Sequence, residues 1–378
     1  MKHWRVTVAA VAVLGGACEE HFSPGLQETP ATVTLQPHIP FKKYDQLTTI
    51  TTRDGRALVA VFDRDQRAEV FFDESGAEIT RITPELPDSF ARRDIRWCVL
   101  PVGTDSLFAF ASSESRTVFL FGSDGKMQAV YTAALPVAGS LDYLLTGSDQ
   151  NPMLLAKDQL VLTITRTGIY VNSKANRIGY FSTPPYVSFS PKKPAAQENT
   201  GYWPQDYRNG ENFRDYYPQH CVNAKGQIVA GFEANDSLFV IEDGKIVERH
   251  ECKSRYMTPR HPFPDDSLGH FAYLGRFIVQ EPRYRYLVYD PYRQLYYRIV
   301  HHAQQTEKPG GMEVNGYLDK PWSLMVLDEK FNVLSETVFD PQRFFPGIIP
   351  LKNGLLVQRR TNENDTSITF SVFEFPKK

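Results

Sequence analysis

This chain of 378 residues is short of the features that announce a function. It has only 4 cysteines. Cys98, Cys221 and Cys252 are too widely spaced for a zinc ribbon or a redox CxxC, so buried inert thiols are expected. In an exported protein one pair could still bridge, and Cys221 and Cys252 are the nearer two. Charge is almost balanced, 42 Lys and Arg against 44 Asp and Glu, and the formal net charge of −2 gives no global attraction to nucleic acid. The apolar run from Val6 to Leu14 falls far below the ~20 residues a bilayer crossing needs. Catalytic motifs are missing as well. His250-Glu251 lacks the second histidine of HExxH, since residue 254 is serine, and there is no GxSxG elbow, Walker A loop or EF-hand series. Ser190 and Lys193 fit SxxK formally, but Pro191 denies them the helix that would aim one at the other. His301 and His302, adjacent on a strand, point to opposite faces and cannot readily share an ion. His261, Asp265, Asp266 and His270 sit in a proline-stiffened loop. Neither a metal site nor a cofactor is expected.

What is present begins at the N-terminus. Lys2, His3 and Arg5 precede the apolar run, and Gly15, Gly16 and Ala17 follow it, the order of a cleavable signal. "LGGAC" resembles a lipobox, the bacterial lipoprotein signal, with Leu14 four rather than three residues ahead of the cysteine. That resemblance makes Cys18 the lipidated first residue of the mature chain. Two or more acyl chains would hold it stably on a membrane. Glu19 and Glu20 are either a retention or export tag or simply a solvated tether. The organisation expected is a signal peptide over 1–17, a tether over 18–30 and one folded domain over 31–378.

That domain reads as all-β. Aromatics make up 13% of the residues, 26 prolines and 24 glycines punctuate the chain, and convincing amphipathic helices are lacking. "RALVAVFDRDQRAEVFFDESGAEITRI" is a strand, a polar turn, a strand, an Asp/Gly turn and a strand. "DSLFAFASSESRTVFLFGSDGKMQAVY" repeats it about fifty residues later. "DQLVLTITRTGIYVNSKANRIGYF", "GQIVAGFEANDSLFVIEDGKIVER" and "GRFIVQEPRYRYLVYDPYRQLYYRIV" continue the series. Gly76, Gly125 and Gly244 fall where hairpins need a positive φ. A strand unit recurring every 40–50 residues predicts a β-propeller. Six blades fit best, with seven if residues 270–340 divide in two. "ATVTLQPHI" at 31–39 is expected to close the ring by completing the last blade.

"LVYDPYRQLYYRIV", "KPWSLMVLDEKFNVLSETVF" and "NGLLVQRR" resemble an uncharacterised lipoprotein family of the Bacteroidetes, a domain of unknown function. The resemblance implies a lipobox, a propeller-like domain and a cell-envelope address, and it carries no catalytic residues. In these bacteria Asp-Ser-Leu resembles an O-glycosylation acceptor, which makes Ser106, Ser237 and Ser267 candidates. The same triplet is also an ordinary turn-to-strand transition.

The segment read as an insert, about 182–217, is the most unusual. It is rich in aromatics and offers Tyr202, Trp203, Tyr207, Arg208, Glu211, Arg214, Tyr216 and Tyr217 as candidate ligand contacts. Those aromatics could equally staple the segment over one mouth of the propeller. Arg283, Arg285, Tyr292, Tyr296, Tyr297 and Arg298 form a second cluster that reads better as cation–π packing within a blade. Three functions compete. The first is a lipid-anchored outer-membrane platform, on the periplasmic or surface face, that binds a glycan, peptide or envelope protein. The second is an envelope lyase or hydrolase with its site at the central channel. The third is a structural subunit of an envelope complex. An enzyme would need polar strand ends such as Asp63, Glu233 and Glu281 to converge.

Overall fold

The computed structural model describes residues 25–36, 47–52, 55–63, 66–86, 96–112, 115–135, 143–148, 150–166, 173–214, 216–307, 316, 319–360 and 365–375. Cys18, the signal segment and residues 19–24 of the tether lie outside them.

Six antiparallel sheets stand in a ring as a six-bladed β-propeller. Blade 1 comprises Leu47–Thr51, Ala57–Asp63, Ala68–Phe72 and Glu78–Ile82. Blade 2 comprises Trp97–Pro101, Ser106–Ala111, Thr117–Gly122 and Met127–Thr132. In blade 3 the innermost position is shared by Tyr143–Thr146 and Leu154–Ala156, and Gln159–Arg166, Tyr186–Ser190 and Lys193–Thr200 follow outward. Blade 4 is Gln219–Val222, Ile228–Phe232, Asn235–Glu242 and Lys245–Glu251. Blade 5 is Arg283–Asp290, Leu295–His301, Trp322–Leu327 and Val333–Phe339. Residues 270–340 therefore contribute one complete blade, with a long connection between its second and third strands. Blade 6 is Phe344–Leu351, Gly354–Arg359 and Ile368–Glu374, and the N-terminal strand Gln27–Leu35 pairs outside it, Leu35 opposite Ile368. The closing strand thus starts inside the segment read as tether.

Two-sided burial explains why these strands read as nearly continuous apolar runs. Every residue of Ala57–Asp63 is buried. Val59 and Val61 pack into the seam with blade 6, while Leu58, Ala60 and Phe62 pack into the seam with blade 2. Successive side chains of a strand leave opposite faces, so a blade between two neighbours must be apolar on both. In blade 2 Leu107 and Ala109 face back to blade 1, whereas Phe108 and Phe110 face blade 3. The seam between blades 5 and 6 holds Trp322 stacked on Phe339, ring centroids 4.3 Å apart. No helix among the described residues is long and apolar enough to cross a membrane.

Blade 3 departs from the sequence expectation. The segment 182–217 is not a single insert, because 186–190 and 193–200 are the blade's two outer strands. Between its second and third strands lies the helix Lys174–Phe181, where a strand was expected. Ser173 caps it by accepting the Asn176 N–H, and Arg177, Tyr180 and Phe181 form its buried stripe at helical spacing. The same segment places Ser190 and Lys193 at opposite ends of a hairpin turn.

Gly76, Gly125 and Gly244 have φ of 90°, 77° and 76°. A Cβ on Gly76 would stand 2.3 Å from the Thr34 carbonyl oxygen of the closing strand. Gly76→Ala is therefore expected to cost about 2 kcal/mol, combining left-handed strain with displacement of that strand. Urea unfolding of the variant measures it. A change below about 0.5 kcal/mol would show that the turn does not brace the closure.

Candidate functional site

In each blade the first strand leaves one face of the disc and the second returns to it. The starts of first strands and the ends of second strands therefore share a face. Three elaborations stand on that face over blades 3 to 5. They are the helix 174–181, the connection 201–218 with its short helix Gln205–Arg208, and the connection 252–282 with the helix Phe271–Gln280. Arg177 binds them together. Its Nε donates to the Gly210 carbonyl at 2.8 Å and its Nη2 to Asp265 Oδ2 at 2.8 Å. Asn212 Nδ2 donates to the other Asp265 oxygen at 3.2 Å. Arg177, more than the burial that opposes it, holds the Asp265 carboxyl below the usual range.

Beneath these walls opens a cavity of about 660 Å³. Arg96 reaches it from the start of blade 2, Arg214, Tyr216 and Tyr217 from the connection into blade 4, and Arg283 and Arg285 from the start of blade 5. The irregular edge of blade 3 adds Thr146, Ser148, Gln150 and Asn151. Ser112 fixes that edge, since its hydroxyl donates to the Gly147 carbonyl and accepts the Gly147 N–H, both at 3.0 Å. Among the described lining residues Glu233 is the one carboxylate facing four arginines.

Glu233 follows the second strand of blade 4, and its carbonyl accepts the Tyr284 N–H at 3.1 Å, which holds blades 4 and 5 in register. Arg283 Nη1 donates to Glu233 Oε2 at 2.9 Å, and Arg285 Nη1 to Oε1. Burial alone would raise this carboxyl, but Arg285, Arg283 and Arg260 together hold it below the usual range. Cationic donors outnumber this acceptor. Arg283 is 3% exposed, and its Nε and Nη2 have no partner. Arg214 stacks 5.6 Å from the Tyr216 and Phe263 ring centres, held at φ 57°, with Nε and Nη1 equally unpartnered. The buried Asn151 Nδ2 also lacks an acceptor.

Behind the wall, the Lys320 ammonium donates to the carbonyls of Ile278 at 2.9 Å and Glu281 at 2.6 Å. Burial, reinforced by Arg283, Arg260 and Arg285 against the opposing pull of Glu233, pushes it down to about 6. His301 is driven well below its ordinary range, first by burial and then by Arg285, Lys320 and Arg283. Burial first, and the neighbouring cations second, thus disfavour the protonated form of both bases.

The eight candidate contacts divide. Arg214, Tyr216 and Tyr217 line the cavity. Trp203 and Tyr207 are instead buried, Trp203 donating Nε1 to the Thr183 carbonyl at 3.1 Å and Tyr207 Oη accepting the Ala234 N–H at 3.0 Å. They staple the connection to Tyr180, Phe181 and Phe232 and offer no free face to a ligand. Tyr202 and Arg208 are exposed outside the cavity lining, and Glu211 lies 3.9 Å from the Lys174 ammonium. Of the strand ends, Glu233 converges on the arginines, Glu281 accepts from His261 at 3.3 Å, and Asp63 accepts the Gln66 N–H at 3.0 Å. Arg298 packs within blade 5, its guanidinium carbon 3.3 Å from the Tyr284 ring centre, while Tyr296 and Tyr297 enter opposite seams.

Arg96, Asn151 and Gln150 escaped sequence reasoning. They stand in loops with no motif, brought together only by the ring. Ser237 is buried and accepts from Arg249 Nε at 3.1 Å, leaving no room for a glycan in the folded chain. Ser106 and Ser267 are half-buried. Among the described residues no three His, Cys, Asp or Glu side chains gather as for a metal ion, and Cys98, Cys221 and Cys252 are free and buried.

Among solved structures, a member of the DUF4221 family from Bacteroides vulgatus ATCC 8482 superposes with a TM-score of 0.75 at 18% identity, covering 93% of this chain and 98% of its own. A protein expected to be exported, from Bacteroides fragilis NCTC 9343, gives 0.48 at 11% identity, with 92% and 95% covered. Virginiamycin B lyase from Staphylococcus aureus gives 0.42 at 10% identity, with 90% and 99% covered. No curated protein matches the sequence. The model of a family described as a domain of unknown function, DUF4221, matches residues 104–338, more than half of the chain, and the protein belongs to that family.

Proposed function

We propose that this protein is a cell-envelope binding platform, held by a lipid at Cys18, whose propeller takes a negatively charged ligand into the cavity between blades 2 and 5. The observation that carries the ligand reading is the surplus of donors. Arg283 and Arg214 line a cavity whose described lining supplies one carboxylate, already shared by two guanidiniums, and both carry buried N–H groups without a partner. Buried donors without acceptors are costly, and an oxyanion satisfies them with charge-assisted bonds. Glu233 alone, held ionised, gives the described lining no second carboxylate to act as its acid or base partner, so binding is favoured over hydrolysis. The lipobox-like "LGGAC" supports the anchor, and Ser106 and Ser267 are the acceptor candidates for glycosylation.

Calorimetric titration with citrate tests the site. Binding is expected, weakened at least tenfold by Arg214→Gln and by Arg283→Met. Arg214→Gln removes no partner from Glu233, so its effect cannot be a consequence of misfolding around that carboxylate. Absence of binding, or binding indifferent to both substitutions, would overturn the site. Labelling with radioactive palmitate tests the anchor, and incorporation that persists in Cys18→Ala would overturn it.

A further inference from the structure

We infer that the ligand is an acidic saccharide, a sugar bearing a carboxylate or sulfate, with its anionic group against Arg283 and Arg214 and its hydroxyls against the edge of blade 3. This rests on the anion-binding reading above and names the ligand class. Three features of the cavity lead to it. Its volume of about 660 Å³ far exceeds what an inorganic ion fills and suits a ligand of several rings.

The blade 3 part of the lining is uncharged and rich in hydroxyls and amides. Ser148, Gln150 and Asn151 lie on the irregular edge of blade 3, between the strand that ends at Thr146 and the one that starts at Leu154. Ser148 Oγ donates to Asn151 Oδ1, which turns the Asn151 amide so that its Nδ2 is left without an acceptor. Side-chain amides and hydroxyls both donate and accept, as sugar hydroxyls do. An inorganic anion or a polycarboxylate would make no use of acceptors there.

The third feature is aromatic. Tyr217 is 39% exposed at the rim, beside Tyr216, whose ring is backed by the Arg214 guanidinium. A partly exposed tyrosine ring suits the C–H face of a sugar. Ile278 is the one aliphatic side chain in the described lining, so an acyl chain or an apolar peptide side chain has little to bury against. An acidic peptide would satisfy the arginines yet leave the amide edge and the tyrosine without matched partners.

Titration with trigalacturonate and with a sulfated heparin tetrasaccharide separates the two sources of charge, with maltotriose and triglutamate as controls. At least one acidic saccharide is expected to bind tenfold or more tighter than both controls. Tyr217→Ala and Asn151→Leu should each weaken acidic-saccharide binding about tenfold, and citrate binding by less. Triglutamate binding as tightly as the acidic saccharides would overturn the saccharide and leave the anion site standing. So would a Tyr217→Ala variant, shown by circular dichroism to be folded, that retains full saccharide affinity. If citrate also fails to bind, both this inference and the function it rests on fall.

Discussion

Replacing Glu233 with alanine is expected to destabilise the fold by about 3–5 kcal/mol, the cost of leaving buried cations without their counter-charge. The Glu233 side chain is 7% exposed, and its partners Arg283 and Arg285 are 4% and 15% exposed. With the carboxylate gone, two largely buried guanidiniums, with Arg260 and Lys320 nearby, are left without their counter-charge. Urea unfolding of Glu233→Ala and Glu233→Gln gives the measurement. Glutamine should recover part of the loss, since its oxygen can still accept one of the two bonds. A loss below 1 kcal/mol in both variants would mean that the arginines relax into solvent and that the positive field is not built into the fold. The alanine variant should also be rescued by a bound anion. At a hundred times its dissociation constant, a ligand of the native state returns about 2.7 kcal/mol. Rescue by citrate, and none by an equal ionic strength of sodium chloride, would tie the stability of the cluster to the ligand site.

The sequence shows this architecture unevenly, for physical reasons. The second and third strands of the blades stood out because both their faces are buried, so "ALVAVFD" and "SLFAFA" are almost wholly apolar. The innermost strands were harder to see. "LTTIT" and "QHCV" have 5 and 4 residues and border the channel, where polar side chains are tolerated. The outermost strand of blade 3, "KPAAQENT", is exposed along nearly its whole length and has no apolar rhythm to betray it. "KANRIGYF" passed for a strand because its stripe of Arg177, Tyr180 and Phe181 includes a buried arginine that no hydropathy count recognises. The site was legible only in pieces. Arg283 and Arg285 were visible as an alternating pair and Glu233 as a polar strand end, but the bond between them spans 50 residues of sequence. Ring closure brings them together, and a single chain read linearly carries no trace of that contact.

The cationic cluster also predicts how stability varies with pH. Lys320 titrates near 6 in the folded chain. An unfolded lysine does so near 10.4. Between those values the unfolded chain holds a proton that the native one does not, so stability rises with pH by about 1.4 kcal/mol per unit. Buried thiols such as Cys252, raised to about 11, act in the opposite direction, but only above their unfolded value of about 8.5. Glu69, which burial raises well above its ordinary range, opposes the lysine above about pH 4.5, so the lysine's share between pH 7 and 8 is read from the difference between the parent chain and a Lys320 variant. Below about 6.5 the histidines take over. His220 and His302 are pushed down to about 4, His220 by burial against a partly offsetting bond to the Pro152 carbonyl, His302 by burial followed by Lys320 and Arg255. His301 lies well below its usual range for the reasons already given. Each ring is protonated in the unfolded chain and neutral in the native one, so stability falls as the pH drops through this window. Three rings would sum to at most about 4 kcal/mol per unit, less for His302, which is partly open to solvent. Urea midpoints measured from pH 5 to 8 should accordingly fall steeply below 6.5, above the range in which ordinary carboxylates titrate. Lys320→Met should lower the slope of the pH 7–8 segment by about 1.4 kcal/mol per unit, and His220→Asn should make the acid limb shallower. A Lys320→Met profile parallel to that of the parent chain from pH 7 to 8 would mean that Lys320 meets water in the native state, and an acid limb unchanged in His220→Asn would mean the same of His220.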